Sequence, residues 1–79
     1  MISERINHAF VGETSVVSTS GDWSLEAGLV SWFGREPRLD IRHWSSDHME
    51  MSKGLRLSKE DAIRLRDTLV AMDIEGIDF

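Results

Sequence analysis

Apolar and polar residues alternate along the chain as far as Leu57 and then change to a helical spacing. Met1 to Asn7 shows no strong period and reads as a frayed lead-in. The segment His8 to Ser18, HAFVGETSVVS, is rich in β-branched and aromatic residues and predicts a first strand, with Gly12 at a bulge or bend. Ser18 to Asp22, STSGD, is a turn cluster of the kind that joins antiparallel strands. In Trp23 to Phe33, WSLEAGLVSWF, the positions Trp23, Leu25, Ala27, Leu29, Ser31 and Phe33 share one mostly apolar face. That face is the expected core side, provided no bulge near Gly28 shifts the count. Gly34-Arg35-Glu36-Pro37 then reads as a hairpin turn that delivers the chain into a third strand.

The third strand alternates Leu39, Ile41 and His43 with Arg38, Asp40, Arg42 and Trp44, so one face is aliphatic and the other carries two guanidiniums and an indole. Ser45 to Met51 is a polar connector. Ser52 to Leu57 is a short fourth strand that turns Leu55 and Leu57 inward and Arg56 outward. Ser58 can cap a helix, with Asp61 at the third position in an acidic variant of the capping box. The helix is expected to reach Met72 or Asp73 and to release at Gly76.

On that helix Ala62, Leu65, Leu69 and Met72 form one apolar flank and Ile63, Val70 and Ile74 another. Together the flanks span about twice the ~100° stripe that covers one layer. The chain offers no second helix, so the expected partner is the same helix from another copy, related by a two-fold axis. The predicted interface comprises Leu65, Arg66, Leu69, Val70 and Asp73, with Arg66 of one copy facing Asp73 of the other. The chain of 79 residues, without cysteine, has neither disulfides nor thiolate metal sites to support a small core, which also favours a homodimer. It is expected to be one domain, 1–79, with a core of about 8–75.

A net charge of −5 argues against phosphate binding when taken as an average. Its distribution along the chain points the other way. Between Arg35 and Arg56 five basic residues face four acidic ones, whereas Ser58 to Phe79 holds three basic and six acidic residues. No basic-then-apolar leader opens the chain and no apolar run approaches membrane-spanning length. The expectation is a soluble cytoplasmic protein, with the nucleoid as one location and no membrane partner.

The spacing of these residues resembles the positive cofactor four family of transcriptional coactivators, most closely its bacterial YdbC-like branch. The resemblance rests on Trp23, on Val30-Ser31-Trp32, Pro37, Asp40-Ile41-Arg42, Trp44-Ser45, Asp47-His48, Met51 and Lys53-Gly54, and on Leu57-Ser58 opening the helix. It covers roughly Trp23 to Leu69. It implies a curved four-stranded antiparallel sheet followed by one C-terminal helix (β-β-β-β-α, an α+β fold), dimerised through the helices, with single-stranded DNA across the strands. Carried over, the contact positions are Trp32, Arg42, Trp44 and Lys53, with Arg35 and Arg38 in the same region. The acid excess departs from the family pattern.

The chemistry of such a face is sequence-tolerant. Indoles offer surfaces on which unpaired bases stack, and cations follow the phosphates. Arg42 projects from the same strand face as Trp44, and Arg56 lies on the neighbouring strand. The expected function is therefore binding of single-stranded DNA, or RNA, with little sequence preference and a transcription-coactivator-like role, without a cofactor. The alternative is a module that binds a protein or duplex nucleic acid through the same sheet. An enzyme is not expected, because His43, Ser45, Ser46, Asp47 and His48 carry no nucleophile motif and successive strand residues diverge. Metal binding by His43, Asp47, His48 and Glu50 lacks any supporting ligand spacing.

Overall fold

The computed structural model describes residues 7–79, so the expectation for the first six residues lies outside the described part. Four strands, β1 (His8–Ser20), β2 (Trp23–Trp32), β3 (Arg38–Ser45) and β4 (Leu55–Leu57), precede the helix α1 (Lys59–Met72) and a single 3-10 turn, Ile74–Gly76. The strands form one antiparallel sheet in the order β1-β2-β3-β4, so each pairs with the next along the chain. This is the expected α+β arrangement.

Register in β1 slips against β2 between Val11 and Ser15, around Gly12, and again between Val16 and Ser18. At each slip β1 spends more residues than its neighbour, which bends the sheet. The bend is large. Trp44 pairs with Ser24, at the opposite end of β2 from Trp32. Those eight intervening steps would stretch to roughly 26 Å at about 3.3 Å per residue in a flat strand. The Trp32 and Trp44 rings nevertheless stack, with centroids 6.3 Å apart and planes at 15°. The sheet is therefore curled, and the face that carries both indoles is concave.

The curl reverses the expected core side. Among the described residues Glu26, Val30, Asp40, Arg42 and Trp44 are the buried ones, and all lie on the concave face, whereas the alternate positions Leu25, Ala27, Leu29 and Ile41 are only half-buried or exposed. Curling brings large side chains of the concave face into contact with one another. On the convex face they spread apart, and among the described residues only the start of α1 covers them. Leu29, Pro37 and Leu39 there line an apolar cleft of about 450 Å³ against Ala62, between Arg38 and Lys59.

The helix begins as its sequence requires, with the Ser58 hydroxyl accepting the Asp61 amide at 3.1 Å and with Glu60 and Asp61 at the positive end of the dipole. It ends at Met72 as expected, but the left-handed cap is Asp73 and not Gly76, which closes the 3-10 turn that follows. Asp73 takes the left-handed conformation at φ 51° and donates its amide to the Val70 carbonyl, a role a short polar side chain tolerates. Ala62 and Leu65 are its only half-buried residues, and beyond Leu65 every side chain is exposed. Among the described residues no helix is long and apolar enough to cross a membrane.

Candidate functional site

The site is built on the β2–β3 turn. The Trp32 carbonyl accepts the Arg35 amide at 2.9 Å, and the two residues between them, Phe33 at φ 54° and Gly34 at φ 73°, are both left-handed. That is the signature of a type I′ turn over Trp32 to Arg35, two residues earlier than the expected Gly34 to Pro37. Gly34 adopts such a conformation freely, but a phenylalanine does so at a cost. Two further bonds brace it: the Ser31 hydroxyl donates to the Arg35 carbonyl at 2.6 Å, and the Phe33 amide to the Asn7 carbonyl at 2.8 Å. The Phe33 ring is thereby held 51% exposed, with the Arg35 guanidinium 6.0 Å from its centroid.

Beside this turn lies a cleft of about 310 Å³ lined by Trp32, Arg35, Glu36, Arg38 and Arg56. Arg56 reaches it from β4, where it pairs with Asp40, and its guanidinium sits 5.5 Å from the Trp32 ring. Arg35, Arg38, Arg56 and Glu36 take part in none of the ion pairs among the described residues. The cleft thus joins a half-buried indole to three guanidiniums and one carboxylate that are unpaired among the described residues.

Behind it the concave face is closed by its own side chains. Asp40 accepts Arg42 Nε at 2.5 Å and Nη2 at 2.8 Å, and accepts Trp32 Nε1 at 3.2 Å. The Arg42 guanidinium stands 4.6 Å from the Trp32 centroid and donates to the Ser52 carbonyl at 3.3 Å. Gly54 passes directly over Arg42, and a Cβ there would collide with the Arg42 side chain and the Ile41 carbonyl. Trp44 packs between His8 and Phe10, each with its centroid 4.9 Å away, and His48 at 5.7 Å. Arg42 is 8% exposed and Trp44 1%. The expectation that these two meet a ligand directly is corrected. In this arrangement no base can stack on Trp44, and the charge of Arg42 is already matched by Asp40.

Glu26 is buried next to Arg42 on the paired strand. Burial pushes its carboxyl up, but hydrogen bonds from Ser24, Thr14 and His48 together outweigh that and hold it below its ordinary value. Thr14 Oγ1 donates at 2.6 Å and His48 Nε2 at 3.0 Å. His48 thereby ties the β3–β4 connector onto β2, a long-range bond rather than one within the connector. His8 has the opposite problem: burial lowers its pKa, and its Nδ1 has no partner.

Of the residues named from the sequence, Trp32, Arg35, Arg38 and Arg56 come together at the cleft. Lys53 is exposed in the connector and does not line it. Phe33 and Glu36 were missed. No pair of the Asn-Gly or Asp-Gly type marks this position, so the left-handed Phe33 that turns outward carried no signal in the sequence. On the helix, Leu65 is half-buried and Arg66, Leu69, Val70 and Asp73 are exposed, with Arg66 Nε on Asp67 of its own chain at 3.0 Å.

No protein-family model matches the chain. It is 36% identical over 76 residues to an uncharacterized protein of Treponema pallidum (strain Nichols), an alignment that spans 95% of this chain and 89% of that one. The chain belongs to the family of that protein. The shared length takes in the whole sheet and helix, and the relative's description assigns neither of them an activity.

Proposed function

We propose that the protein binds single-stranded nucleic acid at the rim of the curled sheet. A base stacks on the exposed part of Trp32, with Phe33 as a second platform, and Arg35, Arg38 and Arg56 follow the phosphates. Arg42, Asp40 and Trp44 support that surface from behind instead of contacting the ligand, and Lys53 extends the positive charge along the connector. The observation that carries the reading is the cleft itself, where an indole and three guanidiniums without carboxylate partners among the described residues converge. Stacking is worth about 1–3 kcal/mol per base and needs no particular sequence. Guanidinium adds both charge and a planar stacking surface.

The binding unit is a homodimer joined through α1. Support comes from the helix, which leaves Leu69 and Met72 more than a third exposed and Val70 77% exposed, from Ile74 in the turn that follows it, and from Leu29 and Leu55 on the half-covered convex face. Exposed apolar side chains in that number suit a second copy better than water. A transcription-coactivator-like role rests on the resemblance to positive cofactor four alone.

The test is a titration of labelled single-stranded and duplex oligonucleotides at low salt, read by anisotropy and tryptophan fluorescence. The expected result is binding of single strands in preference to duplex, weakened in Trp32→Ala and Arg56→Ala variants that remain folded. Preference for duplex, or no response, favours instead a module that docks other macromolecules on the same sheet.

A further inference from the structure

We infer that Glu36 makes the Trp32 cleft selective for guanine. The inference rests on the nucleic-acid reading above and goes further, because a site meant only for phosphates has no use for a carboxylate. Glu36 lines the cleft with Arg35, Arg38 and Arg56, yet pairs with none of them within 4.0 Å, and it is exposed beside the Trp32 ring. Among the described residues its two oxygens are therefore unoccupied acceptors at the edge of a stacking surface.

Among the bases, guanine alone presents two adjacent donors, N1–H and the N2 amine, on its Watson–Crick edge, at a spacing that two carboxylate oxygens match. Adenine and cytosine set a single amine next to a ring acceptor, which repels a carboxylate. Thymine and uracil flank one N–H with two carbonyls. An ionised carboxylate only accepts, so it discriminates by what the base donates. The cleft, about 310 Å³, sits at the lower end of the roughly 300–1,000 Å³ range of pockets that hold a small molecule, which suits one base rather than a run of them. One guanine is read while the neighbouring nucleotides are held without regard to sequence.

The experiment compares short thymidine oligonucleotides with the same strands carrying one central deoxyguanosine, deoxyinosine or deoxyadenosine, by anisotropy, for the native chain and Glu36→Gln. A single guanine avoids quadruplexes. The native protein is expected to bind the guanine strand about tenfold more tightly than plain thymidine, in line with one bidentate base contact. Inosine, which lacks the N2 amine, loses most of that preference. In Glu36→Gln the guanine-to-thymidine ratio falls close to one. Equal affinity of the native chain for the guanine and thymidine strands overturns the inference and leaves the proposed function standing. A guanine preference that survives in Glu36→Gln overturns it as well. If none of the strands binds at low salt, both readings fall together.

Discussion

Arg42 grips Asp40 through two parallel hydrogen bonds inside the curl of the sheet, where both residues are shut off from water. Removing one partner strands the other charge, a loss of about 3–5 kcal/mol in comparable buried pairs. Asp40→Ala is therefore expected to lower the denaturant midpoint sharply, whereas Asp40→Leu combined with Arg42→Met should lie close to the native protein. An unchanged midpoint in Asp40→Ala would mean that the pair does not stabilise the fold.

The two stacked indoles should separate by function. Trp44→Ala empties the centre of the concave face and should cost about 3–5 kcal/mol of folding stability. Trp32→Ala should lose roughly 1–3 kcal/mol of oligonucleotide binding with a smaller effect on unfolding. Chemical denaturation and anisotropy on both variants decide it, and an exchange of the two phenotypes would return the ligand to the interior.

Salt dependence counts the phosphate contacts. Each one contributes about −0.7 to the slope of log affinity against log salt for single strands. Arg38→Ala and Arg56→Ala should each flatten the slope by about that amount, while Lys59→Ala, on the convex side, leaves it alone. A uniform loss of affinity with no change in slope would mean that these guanidiniums do not meet phosphate.

Acid should unfold the protein in two stages. Burial holds His8 below its ordinary 6.5, among Arg42, His48 and Asp40, so the unfolded chain takes up this proton first. Its contribution is complete above about 6.5 and is lost as the pH falls through the lower folded value. Glu26 lies below its ordinary 4.5 through bonds from Ser24, Thr14 and His48, so its contribution is present above that value and is lost as the pH drops further. Stability measured across this range should lose the upper stage in His8→Phe and the lower stage in Glu26→Gln.

The helix surface makes a prediction about mass. Val70→Glu, at the most exposed aliphatic position of α1, should convert the proposed dimer to monomer in light scattering. Arg66→Glu should weaken the dimer, and adding Asp73→Arg should restore it. Equal dimer constants in all these variants would place the contact elsewhere.

Element order was legible because each signal is local. Strand alternation, the STSGD turn, the Ser58 cap and the end of the helix near Met72 depend on neighbours a few residues apart. The concave core was not, since Trp32 and Trp44 meet only once the bulges in β1 have curled the sheet, and no pairwise spacing in the sequence reports that curvature. Counting apolar residues favoured the face with Leu25, Ala27 and Leu29. It undervalued how much volume His8, Phe10, Trp32 and Trp44 fill, and how completely Asp40 neutralises Arg42. The cleft was half visible: its arginines stand out in the sequence, whereas Glu36 reads as an ordinary turn residue until the turn is known to lie at Phe33-Gly34.

The slips in β1 have one more effect. This strand is thirteen residues long and forms the outer border of the sheet, with Val11, Val16 and Val17 open to solvent. A straight border of that length is a template onto which a stray chain can zip, and the usual result is aggregation. Two interruptions break the even rhythm of free amides and carbonyls into pieces too short to template a ladder. The distortion that gathers the aromatic interior therefore also makes that margin a poorer template for a stray strand.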